Sequence, residues 1–92
     1  MMFGYAVVRK DGSFVEGELP ANIDRERFCI MCAASYGAAT TAQKEIEGDA
    51  LEVLIKSRAY SIIIRALKSG DLLVVIGDEE DMENLKRKYD AL

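Results

Sequence analysis

A chain of 92 residues that is 50% hydrophobic and 30% charged has the composition of one ordinary globular domain and no length for a second. Its net charge of −4, with no histidine and no Lys/Arg-rich run, repels phosphate backbones and excludes nucleic acid as the expected partner. The longest uncharged run, residues 28–43, is too short and too rich in Gly, Ser, Thr and Gln to span a bilayer; with no signal-peptide layout at the N-terminus, the reading is a soluble cytoplasmic protein without membrane insertion.

Residues 3–9 alternate weakly and end at Lys10-Asp11-Gly12-Ser13, where Asp-Gly supplies the positive φ angles of a tight hairpin. Residues 14–19 return as a second strand, with Glu16 and Glu18 directed at water or the sheet edge, and Pro20 closes it. Asp24 is a good N-cap, with Ile23 and Phe28 placed as a hydrophobic staple. The helix is expected over residues 25–47, stopping at Gly48. At about 100° per residue, Phe28, Cys32, Ser35, Ala39, Ala42 and Ile46 form the stripe predicted to lie on the sheet, with Met31 at its margin.

The opposite flank holds Ile30, Ala33, Ala34, Gly37, Ala38 and Thr41, nearly all small. A mid-helix glycine costs about 1 kcal/mol against alanine, so Gly37 calls for a packing reason: either the flank is inert, alanine being the best helix former, or its small side chains let a helix of a second subunit approach closely. Cys29 and Cys32 form a C-x-x-C, a spacing shared by redox pairs and zinc sites. Zinc lacks further Cys or His ligands here, and apolar neighbours raise thiol pKa, so both read as buried small hydrophobes; no metal and no cofactor are expected.

Three strands follow, at residues 51–57, 60–67 and 72–76. The first alternates Leu51, Val53 and Ile55 against Glu52 and Lys56, as an edge strand does. The other two are apolar on both faces and read as central, joined by the turn Lys68-Ser69-Gly70-Asp71. Asp78 caps a last helix, acidic at its start and basic toward its end, with Met82, Leu85, Tyr89 and Leu92 covering the second sheet face. The expected fold is α+β, a five-stranded antiparallel sheet with a helix on each face in the order β-β-α-β-β-β-α, spanning residues 1–92 as one domain.

In "GYAVVRKDGSFVEGELP", in the long small-residue helix and in "IIIRALKSGDLLVVI", the chain resembles the roadblock/dynein light chain family, whose domains are roadblock/profilin-like in fold. The resemblance covers nearly the whole length and is to a variant lacking the family's N-terminal helix, with no glycine in the turn at Ser57-Arg58-Ala59. It implies a homodimer that pairs third strands into one sheet with the long helices side by side, using Ile30, Ala34, Gly37, Thr41, Leu51, Glu52, Val53, Leu54, Ile55 and Lys56. It also implies a non-enzymatic, prokaryotic adaptor that binds a Ras-like small GTPase and modulates its nucleotide cycle or location.

An arginine finger would fall to Arg58 or Arg65, against the simpler reading of a solvated or salt-bridged strand arginine. The alternative function is a profilin-like or PAS-like small-molecule sensor, with Ser35, Tyr36 and Thr40 aimed into a pocket. An enzyme is disfavoured: the sequence has no histidine, no nucleotide-binding glycine loop and no nucleophile elbow.

Overall fold

The seven expected elements are present in the expected order: β1 (Gly4–Val8), β2 (Phe14–Glu18), α1 (Arg25–Lys44), β3 (Val53–Lys56), β4 (Ser61–Ala66), β5 (Leu72–Ile76) and α2 (Glu79–Asp90). The structure is a computed structural model that describes residues 2–48 and 52–91. The strands form one antiparallel sheet in the order β2-β1-β5-β4-β3, so β2 and β3 are its edges. All five residues of β5 are buried, which explains its unalternating Leu-Leu-Val-Val-Ile sequence: it lies mid-sheet and is covered on both faces.

The α1 face gathers Ala6, Val8, Ile64, Leu72 and Val74 beneath Cys29, Cys32 and Ala33. The α2 face gathers Val7, Ile63, Leu67, Leu73 and Val75 around Met82, with Tyr5, Leu85 and Tyr89 at its margin. Asp78 and Asp81 form the reciprocal capping box of α2, Asp81 N–H donating to Asp78 Oδ1 at 2.9 Å and Asp78 N–H to Asp81 Oδ2 at 3.1 Å. Asp24 caps α1, accepting from Arg27 N–H at 3.1 Å.

Several expectations are corrected. The first hairpin does not place both Asp11 and Gly12 at positive φ: Gly12 alone does so, at 96°. Arg9 N–H donates to Ser13 O and Gly12 N–H to Arg9 O, so the loop is a three-residue turn with its glycine in the left-handed position. Gly70, at φ 95°, repeats that geometry between β4 and β5. Helix α1 ends at Lys44 rather than residue 47, and Ile46, expected on the buried stripe, lies past its end and is 80% exposed.

The buried face of α1 is also turned from the expected one. Cys29, Cys32 and Ala33 are buried and Phe28 and Tyr36 pack beside them, while Ala42 and Met31 are exposed. Ala33 therefore belongs to the core and not to the small-residue flank. Strand β3 is shorter than residues 51–57: Ser57 is in the turn, where its hydroxyl donates to Tyr60 O at 2.6 Å. Leu51 and Leu92 lie outside the described residues.

Candidate functional site

The two sheet edges are unlike. On β2, Val8 pairs with Phe14 and Val7 with Glu16, so Val15 is the extra residue of a β-bulge. Glu16 and Glu18 are exposed beside it, and Pro20 follows. The hydroxyl of Tyr89, from α2, donates to Glu16. Bulge, carboxylates and proline are the usual means by which an edge is kept from pairing with another chain. Edge β3 has neither bulge nor proline, and its protection is limited to its four-residue length and the charge of Lys56; its residues are Val53, Leu54, Ile55 and Lys56, and Leu54 and Ile55 are 48% and 41% exposed. It presents a row of backbone donors and acceptors flanked by apolar side chains.

The second feature is the outer flank of α1. Ile30, Ala34, Gly37 and Thr41 are all exposed at the 4-3-4 spacing of a helix-pairing seam, and no residue from 28 through 43 is charged. A Cβ built on Gly37 meets nothing within 4 Å, so nothing among the described residues requires glycine there. Near the start of α1 the packing is tight, since a Cβ on Gly12 would stand 2.9 Å from Ile30 Cα. Helix α1 packs against β1, β2 and β3, reaching both edges. Of the ten residues expected at an interface, Ile30, Ala34, Gly37 and Thr41 thus share one helix flank and Glu52 to Lys56 share one sheet edge, with Leu51 outside the described residues.

Other candidates lose their chemistry. Cys29 and Cys32 are free and buried, and burial raises both thiols, Cys32 to about 12, which leaves them protonated and unreactive at neutral pH. Arg65, considered as an arginine finger, is held between three carboxylates: Nε donates to Glu52 Oε1 at 2.7 Å, one terminal nitrogen to Glu83 Oε1 at 2.5 Å, and the other to Glu79. Burial acts to lower its pKa, and the hydrogen bonds it donates to Glu83, Glu79 and Glu52 outweigh that effect and raise it. Arg65 fastens α2 to β4 and to the start of β3 and is not available to a partner. Arg58, in the β3–β4 turn, is exposed.

The salt-bridged reading of a strand arginine holds for Arg65, but its three partners were not read from the sequence. Their only signal was an arginine directly after three isoleucines in a strand and two glutamates four apart on a helix. Of the residues assigned to a sensor pocket, Tyr36 packs at the margin of the α1-side core and Thr40 Oγ1 is buried without a hydrogen-bond partner. Neither they nor Ser35 line any described cavity. Among the described residues no group of His, Cys, Asp and Glu could hold a metal ion, and no helix is long and apolar enough to cross a membrane.

Myxococcus xanthus MglB superposes with a TM-score of 0.78 at 19% identity, over 99% of this chain and 85% of that one. A Roadblock/LC7 domain from Streptomyces avermitilis superposes at 0.77 and 15% identity, over 96% and 76%. The chain has the roadblock fold. The gliding protein MglB from Thermus thermophilus is similar too, at a TM-score of 0.74 and 14% identity over 86% of this chain and 62% of that one. An MglB solved in a tetrameric arrangement shares the roadblock fold at 0.75 and 15% identity, over 98% and 72%.

By sequence, the chain is 32% identical over 75 residues to the uncharacterized protein MJ0714 of Methanocaldococcus jannaschii. The match takes in 82% of this chain and 64% of that protein, so it spans less than two-thirds of its relative. No protein-family model matches the chain.

Proposed function

We propose that this roadblock-fold chain is a non-enzymatic, cytoplasmic regulatory domain that works as a homodimer, binding a Ras-like small GTPase and modulating its nucleotide cycle or its location. The observation that carries the dimer is the contrast between edges: β2 is bulged, acidic and tied to α2, whereas β3 is regular in register, without a bulge, and mostly apolar beside an uncharged helix flank. A domain this small gains from burying a partner's surface, since chains of its length bury a smaller share of their own. Pairing at β3 joins two sheets into one, and the Ile30, Ala34, Gly37, Thr41 flank of each copy meets its mate.

The regulatory half of the proposal is supported by the shared fold with MglB and the Roadblock/LC7 domain, and a fold by itself does not fix function. Arg65 is occupied, so modulation of the nucleotide cycle proceeds through binding and positioning, with Arg58 the exposed cation of the β3–β4 turn. The test is affinity capture from the source cell with immobilised protein, once with GDP and once with a non-hydrolysable GTP analogue, and identification of what is retained. One small GTPase, held preferentially in one nucleotide state, is the expected result. Recovery of none in either state would remove the GTPase from the account.

A further inference from the structure

We infer that two copies of β3 pair in one register, with Leu54 facing Leu54 of the second copy across a two-fold axis and Glu52 facing Lys56 on either side of it. The inference rests on the homodimer proposed above and specifies which residues meet.

Glu52, Leu54 and Lys56 share one face of the sheet. Glu52 bonds Arg65 on the α2 side, and Leu54 pairs with Ile63, which belongs to the α2-side core. Val53 and Ile55 take the other face, where Val53 packs against the α1-side core. A two-fold axis perpendicular to the sheet keeps the α1 faces of both copies on one side, so residues directly opposite must come from the same face. That leaves three registers with substantial overlap, centred on Val53, Leu54 or Ile55.

Centring on Ile55 sets Leu54 against Lys56 and Val53 against Ser57. Centring on Val53 sets the Glu52 carboxylate against the apolar Leu54 twice over and sets Ile55 and Lys56 against positions 51 and 50, which lie outside the described residues. Centring on Leu54 matches every pair within residues 52–56: Leu54 with Leu54, Val53 with Ile55, and Glu52 with Lys56 twice over. Opposite charges and apolar pairs directly across two strands are the favourable cross-strand combinations. Glu52 has capacity for the second cation, because both Arg65 contacts run to Oε1, at 2.6 and 2.7 Å, and its side chain remains 31% exposed. Lys56 is exposed and forms no ion pair with any described residue.

Single cysteines at positions 53, 54 and 55 test the register, in protein that keeps Cys29 and Cys32, with the parent protein as control. Directly opposed Cα atoms lie about 4.5 to 5.5 Å apart, inside the disulfide range. In the Leu54-centred register, two copies of position 53 or of position 55 are roughly 8 Å apart from strand spacing and rise, outside that range. Leu54→Cys is therefore expected to form a covalent dimer under mild oxidation at least about tenfold faster than Val53→Cys or Ile55→Cys. Preferential cross-linking at 53 or 55 would overturn the register while leaving the dimer standing. No cross-linking in any variant, with a parent protein that sediments as a monomer, would overturn both. In a second arm, Lys56→Glu sets carboxylates face to face and is expected to raise the dimer dissociation constant about tenfold at low salt, with the gap narrowing near 0.5 M salt. An unchanged constant at low salt contradicts the Glu52–Lys56 pairing.

Discussion

Replacing Gly37 by leucine separates two accounts of the α1 flank by sign. Within one chain the change is favourable, because a Cβ at Gly37 meets nothing within 4 Å and the residue is exposed, so leucine enters without strain. Its helix propensity exceeds that of glycine by about 0.8 kcal/mol. For a domain of this size that raises the melting temperature by roughly 3 to 6 °C. If Gly37 instead lies in a seam between two α1 helices, the added side chain forces them apart, and overpacking costs about 1 to 3 kcal/mol. Dimer affinity then falls roughly 5- to 150-fold. Because each copy relies on surface supplied by the other, the melting temperature is expected to fall as well, most steeply at low protein concentration. Sedimentation equilibrium on parent and variant gives the affinity, and calorimetry over a range of concentrations gives the melting temperature. A Gly37→Leu protein that dimerises like the parent and melts higher would refute the helix-pairing argument.

Cys29 and Cys32 are expected to resist thiol reagents in the native protein and to react fully in denaturant, and rapid native labelling would contradict their burial. Met82, fully buried at the centre of the α2-side core, should cost about 2 to 5 kcal/mol when changed to alanine; a loss below about 1 kcal/mol by urea unfolding would mean that α2 is not seated as described. Arg65 holds the Glu83 carboxyl below its ordinary value of 4.5, so this contribution is present above that value and is lost as pH falls through the lowered folded-state pKa. Arg65→Met should remove that share of the acid-side stability loss and leave Glu52, Glu79 and Glu83 repelling one another near neutral pH, with stability measured across pH 2 to 7 by chemical denaturation as the check. A variant with the parent's pH profile would show the cluster to be without energetic effect.

The sheet was legible in the sequence because its signals are local and strong. The uninterrupted apolar runs of β4 and β5 mark strands covered on both faces, and the glycines of the two hairpins stand where a left-handed turn residue is required. The orientation of α1 was not legible, for a physical reason. From residue 28 to 43 there is no charge to mark the wet side, so the expected stripe rested on helical periodicity alone, running from Phe28 to Ile46. The sheet takes Cys32 and Phe28 as expected but adds Cys29 and Ala33, because small side chains let the helix lie close to the strands, and the larger Ile30 and Met31 turn outward. Sequence allowed a salt-bridged Arg65 but gave no sign of its partners, since they lie on elements that only the fold brings together. The contrast between edges was half visible: Glu16, Glu18 and Pro20 could be read, but the bulge at Val15 and the Tyr89 contact depend on register and on α2 docking.

The central claim, that β3 and the α1 flank are surfaces for a second copy, is tested most directly by sedimentation velocity on the parent protein across the micromolar range. The account predicts a species of twice the 10.2 kDa chain mass that persists as the protein is diluted through that range. A single species at 10.2 kDa at every concentration would contradict it.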